Sequence, residues 1–130
     1  MNLLLQYAHH DADEFETQKN VSTDDILRAF DKYDWAGETA RAEVLQGISP
    51  TLRVEADADV LIYFSSIPDD EHGLIFISEC HIPVEVRSWF GFSKKIKITN
   101  LHTIEFNLHQ ARQALSLFLA GAYPELRELY

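Results

Sequence analysis

The stretch "VLIYFSSIPDDEHGLIFISECHI", Val60 to Ile82, decides the fold. Two apolar runs flank the turn Pro68 to Gly73, which holds three consecutive acids. Runs joined by such a turn fold back on one another as an antiparallel pair. The first run is apolar on both faces, which places it inside a sheet. Toward the N-terminus, Leu52, Val54 and Ala56 alternate with Arg53, Glu55 and Asp57. That is a half-exposed strand, turned into the next by Asp57-Ala58-Asp59. Asn2 to Ala8 reads as a further central strand, and His9 to Asn20, almost without apolar residues, as an exposed acidic loop.

On the C-terminal side, "RSWFGFSKKIKIT" (Arg87 to Thr99) crowds three aromatic residues against three lysines. Rings beside lysines suit nucleic-acid binding, because rings stack on bases and ammonium groups meet phosphates. In period 2, however, Phe90, Phe92, Ile96 and Ile98 share one face and point to a core, leaving only Trp89 with Lys95 and Lys97 on the other. The stretch therefore reads as a strand or hairpin arm, bent at Gly91, whose lysines protect an edge.

Helical segments appear in two regions of the chain, three in all. Ser22 with Asp25 caps "TDDILRAFDKYDW", in which Ile26, Ala29, Phe30 and Tyr33 face a sheet. Asp24, Arg28, Asp31 and Trp35 fall on the outward face, with Asp34 at its end. The competing reading folds Trp35 back over the core. Ala36 to Gly47 can continue as a short second helix, with Ala40, Val44 and Leu45 apolar and Gly47 as its stop. Near the end, Asn107 with Gln110 caps a helix with Leu108, Ala111, Leu115, Phe118 and Leu119 inward. Gly121 stops it, Pro124 prevents its resumption, and the tail docks as a turn or edge. The expected fold is one α+β domain spanning residues 1–130: an antiparallel sheet of about five strands with two or three helices mainly on one face.

Composition bounds the function. With 46% hydrophobic and 25% charged residues the 130-residue chain buries a core and is not a disordered one. "MNLLLQYAHH" lacks the positive and small-residue features of a signal peptide and is too short to span a membrane, giving a cytoplasmic expectation. The single cysteine, Cys80, excludes an internal disulfide and a cysteine-rich zinc site. The net charge of −10 is uneven: residues 1–71 hold 16 Asp and Glu against 5 Lys and Arg, residues 72–130 hold 5 against 6. An acidic half repels nucleic acid and anionic lipid and steers toward a basic protein; general solubility is the plainer account of the same charge.

Chemical motifs are sparse. No phosphate-cradling glycine loop or Gly-x-Ser-x-Gly elbow occurs. Cys80 and His81 are adjacent on a strand and point to opposite faces, so Cys80 reads as a core thiol. His9, His10 and Asp11 are metal-ligand types, but three consecutive residues seldom converge on one ion, so no metal and no cofactor are expected. His102 and His109 read as surface histidines.

The meander of strands, the segment "RSWFGFSKKIKI" and the closing helix "HQARQALSLFLAGAYPEL" together resemble the immunity proteins of bacterial polymorphic toxin systems. The likeness covers about the last third of the chain. It implies a non-enzymatic cytoplasmic binder that covers the active site of a cognate toxin, often a basic nuclease or deaminase. The expected contact residues are Asp24, Asp31, Asp34, Trp35, Asp57, Asp59, Asp69, Asp70, Glu71 and Trp89, with carboxylates in the toxin's phosphate groove and a tryptophan as anchor. The rival expectation is a small enzyme with an apolar cleft and His/Asp acid–base chemistry.

Overall fold

The computed structural model describes residues 1–87 and 94–130. Trp89, Phe90, Gly91 and Phe92 lie outside the described residues. In chain order the elements are β1 (Asn2–Gln6), β2 (Glu16–Gln18), α1 (Thr23–Lys32), α2 (Trp35–Leu45), β3 (Thr51–Glu55), β4 (Leu61–Asp69), β5 (Gly73–Arg87), β6 (Lys94–Phe106), α3 (Leu108–Leu119) and α4 (Tyr123–Leu129). Six strands form one antiparallel sheet in the order β2-β1-β3-β4-β5-β6. The α+β expectation holds, with one strand and one helix more than anticipated.

Period-2 patterning puts one side chain of each pair under the helices. Leu3 and Leu5, Leu52 and Val54, Ile62 and Phe64, and Phe76, Cys80 and Ile82 form one core with residues from all four described helices, including Ile26, Phe30, Trp35, Leu115, Phe118 and Leu126. Each fully buried Phe or Leu there contributes about 2 kcal/mol relative to leaving it in water. The last residue is part of this core: Tyr130 donates to Ser78 Oγ at 2.6 Å, and Ser78 donates on to Tyr63 O at 2.9 Å.

Several local expectations are corrected. β2 falls inside the segment read as a loop: its three residues are all exposed and join only by backbone pairing to β1, so no apolar alternation announces them. α1 stops at Lys32, because Tyr33 turns extended (φ −62, ψ 127) and stacks its ring between Tyr7 and Trp35. Trp35 thus opens α2 instead of ending the outward face of α1, and it is only 5% exposed. With Trp35 inward, helical spacing buries Glu38, Thr39 and Ala42 and turns Ala40, Val44 and Leu45 to solvent, Val44 being 84% exposed.

In α3 the Asn107–Gln110 capping box forms, but the inward face is Ala111, Ala114, Leu115, Phe118 and Leu119, which leaves Leu108 52% exposed. Pro124 sits in the first turn of α4, where its missing N–H costs nothing. In β6 the helix-facing phase is odd, since Thr99 and Leu101 lie opposite Ile82 and Cys80. Ile96 and Ile98 therefore point away from the helices and are exposed.

Candidate functional site

Four element ends meet at one end of the sheet: the close of α1, the start of α2, the β4–β5 turn and the start of α3. Between them lies an open groove of about 820 Å³. That is the size of a ligand or peptide-anchor pocket. Its lining is mainly apolar, from Phe30, Trp35, Leu74 and the exposed Leu108, with Asp31, Asp34, His72, His109 and Arg112 as its charged and titratable groups.

Four of these five groups, Asp31, Asp34, His72 and Arg112, are held by hydrogen bonds. Asp31 at the end of α1 accepts two hydrogen bonds from Arg112 on α3, from Nε at 2.7 Å and from Nη2 at 2.9 Å. This fork-to-fork pair ties the two helices together. The Arg112 hydrogen bonds hold the Asp31 carboxyl below its usual value and raise the guanidinium in return. Asp34 caps α2 by accepting from Gly37 N–H at 3.1 Å, and it also accepts from Arg41 Nη2 at 3.2 Å. In the β4–β5 turn, Asp69 accepts from His72 N–H at 2.9 Å and contacts the ring Nδ1 at 2.7 Å. The His72 side chain, then backbone N–H donors, lower the Asp69 carboxyl against the opposing effect of burial.

The wall behind the groove is tied together by buried hydrogen bonds. Tyr33 donates its hydroxyl to Gln6 O and Trp35 Nε1–H donates to Phe30 O at 3.2 Å. Burial, then the carboxylate of Glu38, pushes the Tyr33 hydroxyl far above its ordinary value. Glu38, itself buried, accepts from Ala8 N–H at 3.3 Å and from Arg41 Nε.

The expected contact residues divide between the two ends of the molecule. Asp31 and Asp34 line the groove, while Asp69, Asp70 and Glu71 belong to the turn that supplies His72 to it. Asp57 and Asp59 sit in the β3–β4 turn at the opposite end of β4, roughly 26 Å away along nine residues of strand. Asp24 is in the first turn of α1, away from the groove end. Asp24, Asp31, Asp34, Asp57, Asp59, Asp70 and Glu71 are exposed, and Asp69 is half-buried. Trp35 underlies the groove as core, and Trp89 lies outside the described residues. Arg112, His72 and Leu108 complete the groove and were not singled out for it from the sequence. His72 is 41 positions from Asp31 and Arg112 is 81, so no local pattern links them.

A second polar group occupies the sheet face that carries no helix. Arg53, Tyr63, Glu79 and His102 lie directly opposite one another on β3 to β6. Tyr63 donates to Glu79 Oε2 at 3.0 Å, and His81 Nε2 meets Glu79 Oε1 at 2.8 Å. The hydrogen bond with His81 is the main reason the Glu79 carboxyl sits below its usual value. Among the described residues, no three His, Cys, Asp or Glu side chains are grouped to hold a metal ion. His10 instead accepts from Tyr7 N–H through Nδ1 at 3.0 Å. Likewise, no described helix is long and apolar enough to cross a membrane.

Fold and site together define a class: an α+β protein with a six-stranded antiparallel sheet, helices on one face, and an acid-rimmed groove at one end. No family model, no curated protein and no solved structure matches the chain significantly.

Proposed function

We propose that the protein is an immunity-type inhibitor that binds a basic bacterial toxin, such as a nuclease or deaminase, in the cytoplasm. The observation that supports this reading is that Asp31 and Asp34 line one groove with an apolar floor, and that the turn which supplies His72 to it also carries Asp69, Asp70 and Glu71. A rim of carboxylates around desolvated apolar surface suits a partner that presents lysine or arginine beside an aliphatic or aromatic anchor. Leu108 is the exposed apolar group on the protein's side of that contact. Trp35 acts from beneath, by fixing the floor.

The test is co-expression with the toxin encoded in the same genomic neighbourhood, followed by binding measurements. Reversing charge at the groove end (Asp70→Lys with Glu71→Lys) is expected to abolish protection, while the same change at Asp57 and Asp59 leaves it intact. Equal effects from both ends, or from neither, would remove the groove as the interface.

The groove also favours a second reading, a small enzyme in which His72 or His109 does acid–base work beside Asp31. Titration of the histidine ring resonances by NMR, with and without candidate ligands, separates the two. Ligand-dependent shifts confined to His72 and His109 would support the enzyme.

A further inference from the structure

β6 is one of the two outer strands of the sheet, 13 residues long; among the described residues its outer edge pairs with no other strand, and its exposed side chains are apolar as well as basic. Ile96 is 78% exposed and Ile104 53% exposed, and both point to the face without helices, together with Ile98, Asn100 and His102. Such an edge is a template for pairing with another strand. The sequence of β6 is also complementary to itself when reversed about Asn100. In that antiparallel register Ile96 lies opposite Ile104 of a second copy, Ile98 opposite His102, Lys97 opposite Thr103, and Lys95 across from Glu105.

Other even registers fit less well. A centre at Leu101 sets Ile96 against Phe106, whose side chain is committed to the core, and a centre at Ile96 sets Lys95 against Lys97. Only the centre at Asn100 pairs both of the most exposed isoleucines of the strand with each other.

The charge distribution of the whole chain agrees. Beyond the start of β4, β5 and β6 continue as a two-stranded arm carrying Arg87, Lys94, Lys95 and Lys97, with Glu85 as its one acid among the described residues. Antiparallel pairing about Asn100 lays this arm beside residues 103–106 of the other copy. There the β4–β5 turn with Asp69, Asp70 and Glu71 is two strand spacings across and three residues further along, roughly 14 Å from the tip of the arm. Each basic arm thus lies on the side of an acidic end, a long-range attraction that two-fold symmetry repeats.

We propose that the protein forms a two-fold dimer by edge-to-edge pairing of β6 with β6 of a second copy, centred on Asn100. This pairing does not depend on the function proposed above. β6 carries a bulge at Ile104–Glu105, where it uses two residues against Ile77 of β5, so the pairing between copies would run close to its limit there.

Sedimentation velocity over a range of micromolar concentrations is expected to show a monomer–dimer equilibrium. Ile96→Glu, at an exposed position, should raise the dimer dissociation constant roughly tenfold or more. Register is read by cysteine cross-linking, in which the buried Cys80 thiol takes no part. Asn100→Cys, opposite its own copy, should form a disulfide-linked dimer on mild oxidation. Ile96→Cys alone should not, but should cross-link when mixed with Ile104→Cys. Directly paired strand residues have Cβ atoms about 5 Å apart, close enough for a disulfide after small adjustment. A monomer at every concentration, a dimer indifferent to Ile96→Glu, or cross-linking without this register dependence would each overturn the proposal.

Discussion

Trp35 packs its indole within 4.0 Å of the Tyr33 ring centroid, 4.9 Å of Phe76 and 5.4 Å of Phe30, while its one polar atom is satisfied by a backbone carbonyl. A side chain so enclosed acts through stability. Trp35→Ala is expected to cost about 3–5 kcal/mol in urea unfolding, and Trp35→Phe less, with partner affinity of the still-folded Phe variant close to that of the parent. Glu79 gives a pH-dependent case. Its carboxyl is lowered in the folded state, so the ionised group contributes stability that is complete above the ordinary carboxylate range and is lost as pH falls through the folded value. Urea midpoints of Glu79→Gln and the parent should therefore differ near neutral pH and converge in acid. The sequence announces the apolar character of Trp35 and the alternation around Glu79. It gives no sign that Tyr63 and His81 both reach the same carboxylate, because that contact joins different strands or successive open-face positions of one.

The ends of the helices were the most legible elements and also hold the sharpest local correction. Ser22 accepts from Asp25 N–H at 3.2 Å, and Asn107 and Gln110 exchange bonds as their spacing indicates. Asn107→Ala should lower stability by about 1 kcal/mol, seen as a fall in Tm. At the end of α2, by contrast, the left-handed residue is Gln46 (φ 51), not Gly47. Gly47 serves a different need, since a Cβ there would stand 2.9 Å from Ala8 O. Gln46→Gly is accordingly expected to stabilise the protein by about 0.5–1 kcal/mol, while Gly47→Ala destabilises it by forcing the loop after β1 away. Strand phase was read well wherever helices cover one face. It was misread in β6, where Ile96 and Ile98 repeat with a core-like period on the uncovered side.

At the scale of the molecule, the acidic turns sit at two ends of the sheet, and four of the eleven Lys and Arg residues, Arg87, Lys94, Lys95 and Lys97, are gathered on the β5–β6 arm. The on-rate for a basic partner at the groove end should fall steeply with salt, because screening acts on long-range attraction before contact. Stopped-flow association at low and high ionic strength checks this, and an on-rate insensitive to salt would count against steering. The dimer expected from β6 should also weaken with salt, but only in part, since the Ile96–Ile104 pairs are not screened.

What the sequence determined by itself was short in range: the order of strands and turns, the caps of α1 and α3, the burial of Cys80 and the acidity of the N-terminal half. These follow from side-chain period and from hydrogen bonds that close within a few residues. Tertiary structure alone decided that Asp31 meets Arg112 across 81 positions, that Asp57 and Asp69 lie at opposite ends, and that Trp35 turns inward. Those outcomes depend on how α1, α2 and α3 dock on the sheet, which minimises exposed apolar area over the whole chain at once and leaves no signature in any one segment.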